Sequence, residues 1–182
     1  MGEVEGRGAG QIEQVLDALN RAGVRYLVVG GVAVVLHGRL RTTVDLDLVV
    51  QLHKPNRLRA VEALEALGYH PRAPVSARDF ADETLRDSWI REKGMTVFSL
   101  WSSRFRGLEV DLFASVPFDF DEVYARSITV SLEHADVTVI GIDDLIRLKE
   151  SAGRPQDILD VEALRAIREP RVPGESEEDR DG

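Results

Sequence analysis

Four acidic residues sit inside two short apolar runs. Asp45 and Asp47 interrupt "VDLDLVV", and Glu109 and Asp111 interrupt "LEVDLF". On a strand, alternation sends Val44, Leu46, Leu48 and Val50 to one face and Asp45, Asp47 and Val49 to the other. Two like charges on one side of one strand, roughly 7 Å apart, repel each other. A buried carboxylate also costs several kcal/mol unless a partner offsets it. A cation is required, and carboxylate oxygens suit a divalent metal ion. If the Asp111 strand neighbours the Asp45/Asp47 strand, three carboxylates converge. Two magnesium ions about 3.5–4 Å apart would then clamp a triphosphate and its attacking hydroxyl. Glu109 shares a face with Asp111 and rivals it for the third position. The plain alternative makes both acidic pairs the solvated faces of edge strands.

A second feature accompanies the acids. Gly30-Gly31 lies between an apolar stretch, "VRYLVV", and a short helical one, "VAVVLHG". Strand, glycine pair and helix together form a phosphate-holding device, because glycine admits close approach and the helix start offers free N–H groups. By itself such a pair also serves as a simple turn. Further along, Ile142, Leu145, Ile146 and Lys149 form an i, i+3, i+4, i+7 stripe, which puts Lys149 in a core-facing slot. There it either snorkels at the edge of the stripe or directs its ammonium at an anion.

The elements that must position these residues follow from periodicity. Ile12, Val15, Leu16 and Leu19 predict a helix after the Gly-rich start, closed by Gly23. Arg25 to Val29 reads as a buried strand, "VAVVLHG" as a helix closed by Gly38, and "TVDLDLVVQL" as the second strand. Pro55 opens a helix with Leu58, Val61, Leu64 and Leu67 on one side. "SARDFADETLRDSWIREKG" contains helix, and "MTVFSLW" and "RGLEVDLFASV" are strands. "FDFDEVYARS" reads as a short helix or loop, and "ITVSL" and "VTVIG" as short strands. Two helices follow, with Gly153 between them. This order predicts an α/β or α+β fold: a mixed sheet flanked by helices, with helices at the C-terminal end.

Composition narrows the function classes. The 182 residues suit one domain, expected over 1–169, with an acidic, disordered tail at 170–182. The net charge is −9, and the tail holds five acidic residues against two basic ones, so the remainder is acidic too. A broad basic nucleic-acid surface is excluded, though not a local basic patch. The absence of cysteine excludes disulfides, thiolate catalysis and zinc–cysteine sites. No apolar run is long enough for a membrane span, and the first ten residues lack a signal-peptide core, so a cytoplasmic protein without a membrane partner is expected.

The glycine pair, "VDLDL" and "VDL" in this order resemble the nucleotidyltransferase superfamily of the DNA polymerase β type. The thirteen residues between Gly31 and Asp45 fit its spacing. "HGRLRTTVDLDL" and "DDLIRLKESAGRPQDILDVEAL" further resemble a bacterial subgroup that includes abortive-infection, toxin-type transferases. The second stretch matches their Lys-x-x-Ala-x-Arg-x-x-Asp region.

The resemblance runs from about Tyr26 to Leu164. It implies a nucleotidyltransferase-like fold and transfer of a nucleoside monophosphate from a nucleoside triphosphate to an acceptor hydroxyl, with pyrophosphate released. Asp45, Asp47 and Asp111 would bind Mg²⁺ or Mn²⁺, and Asp111 would help deprotonate the hydroxyl. Gly30 and Gly31 would hold phosphate, and Lys149 would neutralise it. Arg154 is a phosphate or acceptor contact, and Asp157 and Asp160 could instead orient Lys149 and Arg154. Arg41 and Thr43 are either phosphate contacts or scaffold hydrogen-bonders. His37 reads as a capping or core residue. Trp89 and Trp101 read as core, with base stacking as the alternative. The acceptor, whether RNA, protein or small molecule, stays open. So do two rival readings: a low-turnover binding module of a toxin–antitoxin pair, and an antibiotic-modifying transferase.

Overall fold

The structure is a computed structural model that describes residues 3–169; the acidic tail expected from Pro170 lies outside them. Its first helix, α1 (Glu3–Arg21), begins inside the Gly-rich stretch rather than after it. Val15, Leu16 and Leu19 are fully buried. Once that apolar stripe is anchored, helix propagation toward the N-terminus adds one hydrogen bond per residue and tolerates glycine at about 1 kcal/mol each.

Strand β1 (Tyr26–Val28) leads through Val29 into helix α2 (Gly30–Leu36), and β2 (Asp45–Val50) follows. Helix α3 (Lys54–Ala66) starts with Pro55 in its first turn, as expected. It buries Ala60, Val61 and Leu64, and also two polar residues, Asn56 and Arg57, which hydrophobic periodicity does not reveal. Asn56 acts as a tie. Its side chain bonds both the N–H and the carbonyl of Arg25 and also the carbonyl of Gln51, which joins the outer ends of β1 and β2.

A two-residue strand, β3 (His70–Pro71), is too short to show in the sequence pattern. A 3-10 turn (Ala77–Ala81) and α4 (Glu83–Lys93) come next, then β4 (Val97–Trp101) and β5 (Glu109–Phe113). Helix α5 (Phe120–Ala125), the hairpin β6 (Ile128–Ser131) and β7 (Asp136–Val139), and helices α6 (Ile142–Ala152) and α7 (Pro155–Arg168) complete the chain. Gly153, at φ +63°, ends α6 in the left-handed conformation that glycine adopts without steric cost.

The strands form one mixed sheet of seven, in the order β3-β4-β5-β2-β1-β7-β6. The β2–β5 and β1–β7 pairs are parallel, and the other four are antiparallel. The core lies on the face shown by Leu46, Leu48, Phe98, Leu100, Val110 and Leu112, all at or near zero exposure. On that face Phe98 stacks with Phe80 of the 3-10 turn and Trp89 of α4. Helix α2 packs against β2 and α6, and α6 packs against α7. This is a mixed α/β fold with C-terminal helices.

Candidate active site

Register decides which acidic residues meet. β2 and β5 are neighbours in parallel, with Asp47 opposite Asp111 and Asp45 opposite Glu109. Partners in register share a face, so all four carboxylates emerge on the side away from Phe80 and Trp89. Leu46, Leu48, Val110 and Leu112 fix this arrangement, because a slip of one residue would bury the acids and expose the leucines.

Gly30 makes room for the site. It has φ +62°, and a Cβ there would stand 1.9 Å from Asp47 Oδ2. Any other residue at this position would displace the carboxylate. Gly31 is equally confined, since its Cβ would lie 2.5 Å from Thr43 Oγ1 and 3.2 Å from Arg41 Cζ. The first turn of α2 therefore rests directly on Asp47, Thr43 and Arg41.

The electrostatics show a shortage of positive charge. Asp47 has its pKa pushed up to about 6 by burial first, then by Asp111 and Asp45; the Gly31 N–H and Arg154 pull the other way without prevailing. Asp45 is also raised, by burial and then by Asp111 and Glu109. Oδ1 of Asp111 is buried without a hydrogen-bond partner. Glu109 differs from the other three: Arg72 pairs with it through two hydrogen bonds and holds its pKa low. The three-dimensional arrangement thus sets Asp111 beside Asp47 and gives Glu109 a cation of its own.

A divalent ion is consistent with this set in donor chemistry. The donors are carboxylate oxygens, which Mg²⁺ and Mn²⁺ prefer, and one of them is buried without a partner. Among the described residues no three Asp, Glu or His side chains close around a single point as a bound ion would draw them. The backbone positions are adjacent, and side-chain rotation remains to bring the oxygens together.

A second charged cluster stands behind the first. Lys149 is 5% exposed, and its Nζ lies 3.0 Å from Asp157 Oδ1 and 2.8 Å from Asp160 Oδ2. It does not snorkel. Arg154 Nε holds Asp157 at 2.7 Å, and Arg41 Nη1 holds Asp160 at 2.6 Å. Arg39 approaches Asp160 at 3.6 Å and also bonds the carbonyl of Leu159. Burial works to raise Asp157 and Asp160, but hydrogen bonds from Arg154 and Lys149 to the first, and from Lys149 and Gln156 to the second, keep both below the usual carboxylate range. The network joins α6, α7 and the 39–43 segment. Of its cations, Arg154 is the one whose charge reaches Asp47.

The remaining residues are simpler. Thr43 Oγ1 points at the Asp45 carbonyl, 3.5 Å away. His37 caps α2, and its Nε2 meets the Ile140 carbonyl at 2.8 Å, so the expected capping role holds. Trp89 is buried as expected, but Trp101 is not core: it is 41% exposed at the end of β4, on the carboxylate face. Arg72 carries no local sequence signal, because only the register of a two-residue strand brings it to Glu109.

A mixed sheet with in-register strand carboxylates beside a glycine-opened helix start defines a nucleotidyltransferase-type fold. The chain belongs to the family described as nucleotidyltransferase of unknown function (DUF6036), whose model matches residues 9–170. No curated protein matches it in sequence. Among solved structures it is similar to the lincosamide antibiotic adenylyltransferase LnuA in its lincomycin-bound form. The TM-score is 0.59 at 15% identity, over 87% of this chain and 96% of that one. It is also similar to the antibiotic-resistance factor ANT(2'')-Ia, with a TM-score of 0.55 at 16% identity, over 87% of this chain and 80% of that one. At such identities the likeness is one of fold.

Proposed function

We propose that this nucleotidyltransferase moves a nucleoside monophosphate from a nucleoside triphosphate to an acceptor hydroxyl and releases pyrophosphate. The observation that carries the reading is the Asp47–Asp111 register beside Gly30. Two carboxylates that repel each other, one with an unpartnered oxygen, lie beside the first turn of α2, and a metal carrying a triphosphate would answer both needs. Asp45, Asp47 and Asp111 would hold Mg²⁺ or Mn²⁺, which would supply charge neutralisation for the phosphates and acidify the attacking hydroxyl. The chain's own residues do the positioning. Gly30 and Gly31 would hold the phosphates through backbone N–H groups, the Gly31 N–H turning from Asp47 to the phosphate once a metal takes up the carboxylate. Arg154, 75% exposed in its side chain and felt by Asp47, receives phosphate charge. Lys149 keeps Asp157 and Asp160 ionised, and these in turn orient Arg154 and Arg41, with Thr43 bracing the turn. A short list of this kind suffices because phosphoryl transfer depends mostly on positioning and electrostatic stabilisation.

The test is pyrophosphate release from each of the four NTPs with Mg²⁺ or Mn²⁺, with RNA, total protein and small hydroxyl compounds as acceptors. Release that requires metal and disappears in both Asp47→Asn and Asp111→Asn supports the reading. A toxin–antitoxin module with little turnover would bind nucleotide or partner protein without releasing pyrophosphate under any of these conditions.

A further inference from the structure

The sheet face that bears the carboxylates does not end at β5. β4 pairs antiparallel with β5, placing Ser99 opposite Asp111. Carrying that register to the strand ends sets Trp101 opposite Glu109, and β3 places His70 opposite Trp101. One row therefore runs Asp45, Glu109, Trp101, His70 across four adjacent strands, with Asp47, Asp111 and Ser99 alongside it. None of these seven residues is fully buried. The opposite face of the same strands is closed by Phe80 and Trp89. An exposed tryptophan beside these polar residues, meeting the His70 ring edge-on at 6.5 Å and otherwise open, is costly to solvate and lies outside the core.

We infer that Trp101 is a substrate-contacting, specificity-determining residue: the platform on which a cationic, ring-bearing small molecule stacks while its hydroxyl is presented to Asp111. This rests on the transferase reading above. Geometry sets the size of the acceptor. One strand spacing and two residue steps separate Trp101 from Asp111, about 8 Å between Cα atoms, so the stacked ring is not the ring bearing the reacting hydroxyl. Charge sets its sign. Four carboxylates open onto this face; Arg72 answers Glu109 and Arg154 reaches Asp47, which leaves the face acidic, and the metal and triphosphate largely cancel each other. Tryptophan is also the strongest cation–π partner among side chains. A nucleic-acid acceptor would bring phosphates to a surface that repels them.

Trp101 is also the reporter. Trp89 is buried, so a ligand in solution quenches Trp101 first. Lincomycin and tobramycin, two cationic multi-ring polyols, are titrated into the wild-type chain with Mg²⁺ and a non-hydrolysable ATP analogue, and a single-stranded RNA oligonucleotide serves as the contrasting probe. Binding is followed in parallel by calorimetry in Trp101→Ala and Trp101→Tyr. The expected result is saturable quenching by at least one of the two compounds. Affinity should weaken roughly tenfold, about 1.4 kcal/mol, in Trp101→Ala and return largely in Trp101→Tyr, which keeps an aromatic face.

Three results would overturn the inference. These are no saturable binding of either compound at millimolar concentration, equal affinity in Trp101→Ala, or quenching by RNA alone. Nucleotide binding, measured separately with a fluorescent ATP analogue, keeps the two readings apart. Its absence in every protein sinks the transferase reading, whereas a loss confined to Trp101→Ala means that Trp101 stacks the nucleotide base and not the acceptor.

Discussion

Burial, Asp111 and Asp45 together make a charge on Asp47 costly in the folded chain. Its pKa moves from an ordinary 3.8 to about 6, so between those values the folded state keeps a proton that the unfolded state has lost. Metal-free stability therefore falls as pH rises through that window and is level above it. That displacement is worth on the order of 3 kcal/mol. Asp47→Asn should abolish nucleotide transfer while raising the metal-free melting temperature at pH 7–8, with the difference from wild type shrinking toward pH 4. Thermal melts in EDTA across pH 4–8 measure this. A lower melting temperature for the variant at pH 8 would mean that Asp47 is held mainly by Arg154. Lys149 has the opposite character. Removing it leaves the buried Asp157 and Asp160 short of a cation, and breaking such pairs costs about 3–5 kcal/mol. Lys149→Met should thus unfold at markedly lower denaturant, and Asp160→Asn in the same chain should recover part of the loss. Wild-type stability combined with a raised KM for NTP would instead place the ammonium on phosphate.

Between residues and fold lies the first turn of α2, where two glycines serve different neighbours. Gly30→Ala carries a left-handed strain of roughly 1–2 kcal/mol and drives a methyl into Asp47. Gly107, at φ +82° with open space around its missing Cβ, would bear the same strain without the collision. Gly30→Ala should therefore lower stability more than Gly107→Ala, and only Gly30→Ala should also reduce kcat/KM, by tenfold or more if Asp47 shifts enough to lose about 1.4 kcal/mol of transition-state stabilisation. Steady-state kinetics on the two variants side by side make the comparison. Equal activity would remove Gly30 from the site. Gly31 faces Thr43 and Arg41, so its alanine variant should disturb the 39–43 segment and, through Arg41, the link to Asp160.

At the scale of the molecule, α6 and α7 are attached to the sheet layer through the ion network and through Leu145, Ile146, Val161 and Leu164. That anchoring reaches Arg168, which pairs with Asp143 at 2.9 Å. Beyond it the sequence is rich in Pro, Gly and acid and has no apolar period. A chain ending at Arg168 should therefore fold, melt and turn over as the full chain does, as melting curves and pyrophosphate release would show. Loss of either would assign the last residues a docking role.

The sequence by itself determined the longer elements and the set of candidate acids. Alternation in "VDLDLVV" and "LEVDLF" singles out Asp45, Asp47 and the pair Glu109 and Asp111, and the helix stripe gives Lys149 a core-facing slot. These are local signals, because side-chain direction along a strand or helix is fixed by periods of 2 and 3.6 residues. What tertiary structure decided was pairing. That Asp111 and not Glu109 stands beside Asp47, that Arg72, just past the two-residue β3, reaches Glu109, and that Trp101 faces solvent rather than core all follow from register between strands distant in the chain. Lys149's choice of Asp157 and Asp160, with Arg41 joining from across the molecule, follows from the docking of α7. Pairing between distant segments is set by the whole set of buried faces at once, and no window of local sequence contains that set.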